Sequence, residues 1–145
     1  MAKNTIRARV LLADDHAGNI QLLQGLLEVE FDVVGAVQSG QALVGAAEAL
    51  SPDVIVSDIA MPGVDGIEAA KRILCRNPAA RIVFVTVLDE PEMVRRALAM
   101  GALGYVLKTV AAEELVPAVH AALRGERHTG AQHLADQGKD TRGDR

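Results

Sequence analysis

The chain has 145 residues, half of them hydrophobic, yet no Trp, one Tyr and two Phe. That is enough for one domain with an aliphatic core. A formal net charge of -4 disfavours nucleic acid as a direct partner, and a single cysteine, Cys75, excludes an internal disulfide and a cysteine-rich metal site.

Residues 1–10 carry positive charge but no apolar stretch of signal-peptide type, and no run reaches membrane-spanning length. A reduced, cytoplasmic setting without a membrane partner is expected. Arg9–Ala13 reads as a strand that stops on two adjacent acids, Asp14 and Asp15. Ile20, Leu23, Leu26 and Leu27 then line one face of a first helix. Residues 31–36 read as a second strand, and Leu43, Ala46, Ala47 and Leu50 mark a second helix. Val54–Ser57 is a third strand, ending at Asp58. Pro62-Gly63 is a turn signal, and Asp65 with Glu68 has capping-box spacing at the start of a third helix, faced by Ile67, Ala70, Ile73 and Leu74. Residues 81–85 form a fourth strand before Thr86. Pro91 suits the first turn of a fourth helix that carries Met93, Val94 and Leu98. Gly104–Leu107 is a weaker fifth strand before Lys108. Leu115, Val119, Ala122 and Leu123 form a last helix, closed by Gly125, in which Pro117 implies either a kink or a regular part beginning near Glu114.

The strands are continuous Val/Ile runs without polar alternation, which indicates a parallel sheet covered on both faces. Five strand–helix units over residues 6–125 imply a doubly wound α/β fold with right-handed crossovers. Residues 126–145 mix charge, Gly and polar side chains. They read as a mobile, disordered tail, too short and too polar for a second domain.

Ligands of open α/β sheets bind beyond the carboxyl ends of the strands. In a strand order of 2-1-3-4-5, Asp14, Asp15, Asp58, Thr86 and Lys108 converge on that rim. A hard cation such as Mg²⁺ relieves the repulsion of carboxylates crowded there, and two or three of them suffice to hold it. A turn at Pro62-Gly63 would aim the Ala60 carbonyl at the metal. Asp58 is then placed as a nucleophile, with Lys108 and Thr86 supplying a positive charge and a hydroxyl donor to phosphoryl oxygens.

The acidic pair Asp14-Asp15, the stretch from Asp58 through Met61-Pro62-Gly63 to Asp65-Gly66, Thr86, and Gly104-Tyr105 with Lys108 together resemble the receiver domain of bacterial two-component response regulators. The resemblance covers residues 6–125. It implies a flavodoxin-like (βα)5 fold of order 2-1-3-4-5. It also implies transfer of a phosphoryl group from a histidine kinase or phosphotransfer protein to Asp58, so the chain is a phosphoacceptor switch and not an enzyme. The metal ligands map to Asp14, Asp15, Asp58 and the Ala60 carbonyl, and the switch pair to Thr86 and Tyr105. The last helix is similar to receivers that precede a helix-turn-helix DNA-binding domain. The expectation is therefore a stand-alone receiver of that lineage, or a regulator that has lost its output half. No direct DNA binding is expected, the output protein is not identified, and homodimerisation through the fourth helix, fifth strand and fifth helix is plausible, near Ala97, Met100 and Tyr105.

Several positions depart from the family pattern. Thr109 follows Lys108 where many receivers have Pro. Val87 follows Thr86 where a smaller residue is usual. Ala60 and Leu88 offer no polar side-chain atom to the water that would hydrolyse a phosphoaspartate, so slow self-dephosphorylation is expected. Plainer readings exist for single residues: Asp15 as a helix cap, Lys108 as a solvated lysine, Tyr105 as sheet packing, and His16, His120, His128 and His133 as exposed polar groups. A phosphatase using a D-x-D nucleophile motif is disfavoured, because Ile59 and Ala60 follow Asp58. A receiver-shaped interaction module that takes no phosphate is the alternative, and it would be favoured had Asp58, Lys108 or one of the acidic pair been missing.

Overall fold

Val-rich runs and amphipathic segments alternate along the computed structural model, which describes residues 6–129. The elements are β1 (Arg9–Ala13), α1 (Ala17–Glu28), β2 (Asp32–Val37), α2 (Gly40–Leu50), β3 (Val54–Ser57), α3 (Gly66–Arg76), β4 (Ile82–Thr86), α4 (Pro91–Ala99), β5 (Gly104–Leu107), a 3-10 turn (Lys108–Val110) and α5 (Ala111–Leu123). The strands pair in parallel in the order β2-β1-β3-β4-β5. This is the doubly wound, flavodoxin-like arrangement expected from the sequence.

Side-chain alternation along the strands builds two cores. Leu11, Ile55, Ile82 and Phe84 point to one face and pack with Leu43 of α2, Ile67, Ala70 and Ile73 of α3, and Val94 and Leu98 of α4. Val10, Leu12, Val54, Val56, Val83 and Val85 point to the other and meet Leu23 and Leu27 of α1 and Leu115, Val119 and Ala122 of α5. Burying side chains this large contributes about 1.5–3 kcal/mol each before the entropy of ordering them is subtracted.

The strand predicted over residues 31–36 lies one residue later and is not buried throughout: Asp32 and Ala36 are exposed. Among the described residues it is an edge strand with a neighbour on one side only. The fourth strand likewise begins at Ile82, with Thr86 as its last residue. Asp65 caps α3 by accepting from the Glu68 N–H at 2.8 Å, while the Glu68 side chain pairs with Arg72 rather than reaching back. Pro91 occupies the first turn of α4. Regular helix does not wait for Glu114: α5 starts at Ala111 and runs through Pro117. The bond that Pro117 cannot donate would have gone to the Glu113 carbonyl, and both residues are exposed, on the solvent side of the helix. Among the described residues no peptide bond is cis, so Lys108–Thr109 is trans. No helix among them is long and apolar enough to cross a membrane.

Backbone pairing continues beyond the boundary expected at Gly125. His128 bridges to Gly104 alongside β5. Residues 130–145 of the expected tail, His133 included, lie outside the described residues.

Candidate functional site

Five of the predicted site residues follow or end a strand at one rim of the sheet, whereas Ala60 lies in the loop after β3 and Tyr105 within β5. Asp14 and Asp15 follow β1, Asp58 follows β3, Thr86 ends β4, and Lys108 follows β5 and opens the 3-10 turn. Parallel register does the gathering. Ala13 pairs with Ser57 and Thr86 with Leu107, and the Asp58 N–H donates to the Ala13 carbonyl at 2.9 Å.

Lys108 Nζ lies 2.7 Å from Asp14 Oδ2 and 2.8 Å from Asp58 Oδ2. Burial alone would lower the Lys108 pKa, but the contacts with Asp14 and Asp58 outweigh it and hold the ammonium above its ordinary range. Asp58 Oδ1 accepts from the Ile59 N–H at 2.7 Å and from the Ala60 N–H at 3.4 Å. It is the Ala60 N–H that meets Asp58. Gly63, in the turn that follows, has φ 74°, a left-handed conformation that glycine adopts without a steric penalty.

Asp14 is fully buried, and its Oδ1 accepts from the His16 N–H at 2.9 Å and from Asn19 Nδ2 at 3.4 Å. Asp15 does not cap α1, since His16 holds that position. Asp15 Oδ1 is cut off from water without a hydrogen bond, and the His16 ring stands 3.1 Å from it. Ligand atoms of Asp14, Asp15 and His16 fall within 4.8 Å of one another. An anionic, oxygen-rich set with a buried carboxylate oxygen lacking a donor fits a hard divalent cation. Asn19 is not singled out by the sequence, and His16 reads there as an exposed polar group outside the site. His16 is exposed as expected, and its position directly after the acidic pair was the available signal.

Thr86 and Tyr105 meet at Leu88. Thr86 Oγ1 accepts from the Leu88 N–H at 3.3 Å, and the Tyr105 hydroxyl donates to the Leu88 carbonyl at 2.7 Å. The Tyr105 ring is wholly buried. Of the three residues expected near an association face, Ala97 and Tyr105 are buried and Met100 is half-buried.

Residues 10–120 match the response regulator receiver domain family. The uncharacterized transcriptional regulatory protein YxjL of Bacillus subtilis is 38% identical over 125 residues, covering 85% of this chain and 57% of its own length. The chain therefore spans less than two thirds of that relative. Among solved structures, a LuxR-family two-component response regulator from Aurantimonas sp. superposes with TM-score 0.89 at 30% identity, covering 93% of this chain and 98% of the other. The signal receiver domain of the putative response regulator NarL from Mycobacterium tuberculosis gives TM-score 0.80 at 31% identity, covering 84% of this chain and all (100%) of the other. These similarities point to the same lineage as the last helix.

Proposed function

Because the chain belongs to the response regulator receiver domain family, we propose that it is a phosphoryl-accepting signalling switch with Asp58 as its acceptor. Receivers of two-component systems are phosphorylated on aspartate and use Mg²⁺. The observation that carries the assignment to these residues is the position of Lys108, 2.7 Å from Asp14 and 2.8 Å from Asp58, joining the ends of three strands.

A histidine kinase or a phosphotransfer protein is the proposed donor. An Asp58 oxygen attacks phosphorus as the donor's P–N bond breaks, and the departing imidazole takes up a proton. Asp14, Asp15, Asp58 and the Ala60 carbonyl would hold Mg²⁺, which when bound neutralises charge on the transferring group. Lys108 orients Asp58 beforehand and then faces a phosphoryl oxygen. Thr86 offers its hydroxyl to another, and Tyr105 follows through Leu88. The two side chains thereby bias a two-state surface built on α4, β5 and α5. The output is proposed to be a protein surface docking there, either on a partner or on a second copy of the chain. The functional rim is acidic, so DNA is not proposed as its ligand. A cytoplasmic setting suits a histidine kinase as donor.

Incubation with acetyl phosphate and Mg²⁺, followed by intact-mass measurement, tests the assignment. Wild type should gain one phosphoryl group and Asp58→Ala none. Equal labelling of the two would exclude Asp58, and no labelling of either would favour an interaction module that takes no phosphate. Sedimentation with and without the label tests the homodimer.

A further inference from the structure

The chain does not leave the domain at Gly125. His128 forms a parallel bridge on the open side of β5. The Tyr105 N–H donates to the His128 carbonyl at 2.9 Å, and the His128 N–H donates to the Leu103 carbonyl at 2.8 Å. Side chains anchor the segment to both neighbouring helices. Arg127 Nη2 donates to the Leu98 carbonyl, near the end of α4, at 3.1 Å, and His128 Nε2 lies 2.6 Å from Glu114 Oε1 on α5. Thr129 is buried beyond them. A polar, glycine-flanked segment thus touches α4, β5 and α5 together. One of its bonds reaches the backbone of Tyr105, whose hydroxyl holds Leu88.

β5 is an edge strand, and the outer groups of such a strand invite pairing with another chain. Among the described residues a single bridge covers part of that edge, and a unit that small is one that a modest bias releases. We propose that residues 126–129 form a strap on the β5 edge that reads the state of Tyr105 and α4, loosening when they shift and so carrying the switch into the chain beyond Thr129. The proposal rests on Asp58, Thr86 and Tyr105 working as the phosphoryl switch. Its geometry gives the device two inputs: the backbone of Tyr105 and the last turn of α4 both hold the strap, so displacement of either breaks a bond to it.

Residue-resolved amide exchange by NMR on the full chain tests the strap before any phosphorylation. His128→Pro removes the N–H that donates to Leu103. It should raise exchange of the Tyr105 amide at least tenfold while the Val83 amide in β4 keeps its protection. Arg127→Ala leaves the backbone donors intact and should give a smaller rise, which guards against a proline variant that folds poorly. In wild type labelled on Asp58 with acetyl phosphate and Mg²⁺, Tyr105 exchange should rise at least threefold. Unchanged exchange in both variants would remove the strap. Faster exchange in the variants without a response to labelled Asp58 would overturn the coupling. Absence of the label by intact mass would overturn the coupling along with the parent reading, and mass distinguishes that result from a strap that is present but unresponsive.

Discussion

Lys108 Nζ and Asp14 Oδ2 stand 2.7 Å apart, with the Asp58 carboxylate 2.8 Å from the same ammonium. The lysine therefore holds apart two carboxylates that would otherwise face one another. Removing one partner of a fully buried ion pair costs about 3–5 kcal/mol. Some of the Lys108 side chain reaches water, 15% of it, so solvent screening reduces the effect. Lys108→Met should destabilise the chain by about 2 kcal/mol, allowing for that screening. Mg²⁺ should then raise the melting temperature of the variant more than that of wild type, because the added cation replaces the missing charge. An equal or smaller Mg²⁺ shift in the variant would show that the carboxylates do not depend on Lys108.

The four strand ends that build this rim were legible because a parallel strand buried on both faces must be continuously apolar, so the first polar residue marks its end. Asp14, Thr86 and Lys108 are such residues, while at the third strand Ser57 comes first and Asp58 directly follows it. Neighbour number is not written in periodicity, which is why β2 read as buried although it lies at an edge. Of the two readings of Pro117, only the late start near Glu114 is overturned, since α5 already begins at Ala111. The proline's cost depends on whether the Glu113 carbonyl meets water, which only the fold decides. His16 reads from the sequence only as an exposed polar group, because its meaning comes from the turn that brings it to Asp15. The bridge at His128 uses backbone atoms that any composition supplies, so polar side chains concealed it.

Gly66 ties the signature around Asp58 to packing. A Cβ added there would fall 2.0 Å from the Asp58 carbonyl oxygen, and the Gly66 N–H donates to the Ile59 carbonyl at 2.8 Å. The nearest atoms it would meet are all backbone of Asp58 and Ile59, not the end of a flexible side chain that could give way. Gly66→Ala should cost about 1–3 kcal/mol, in the range of overpacked cores. It should also slow acetyl phosphate labelling, since the loop that positions Asp58 must shift. Urea unfolding and intact-mass time courses measure the two effects, and wild-type values in both would contradict the close approach.

The lifetime of the phosphorylated state follows from what surrounds Asp58. Ala60 is exposed and Leu88 half-buried, and neither side chain has an atom that accepts or donates a hydrogen bond to water. An attacking water is therefore left unoriented, and orientation is a large part of catalysis. Label on isolated wild type in Mg²⁺ should decay slowly, and Ala60→Asn should shorten its lifetime several-fold. If wild type loses label as fast as Ala60→Asn, side chains at this position do not set the rate.

Tyr105 supplies a pH dependence whose sign can be worked out. Burial, then the negative charges of Glu90, Asp89 and Asp58, push its pKa well above the ordinary value of 10.0. The unfolded phenol ionises near pH 10 while the folded one keeps its proton. Stability from this group is therefore complete below pH 10 and declines as pH rises from there toward the folded pKa. Tyr105 is the only tyrosine and the chain has no tryptophan, so phenolate absorbance reports on this residue alone. That absorbance should stay low past pH 10 and then rise together with loss of helical circular dichroism. Tyr105→Phe gives up the bond to Leu88, at about 1 kcal/mol near neutral pH, but should lose less stability between pH 10 and alkaline unfolding. Phenolate appearing near pH 10 in a chain that stays folded would mean that the hydroxyl is open to solvent and does not hold Leu88.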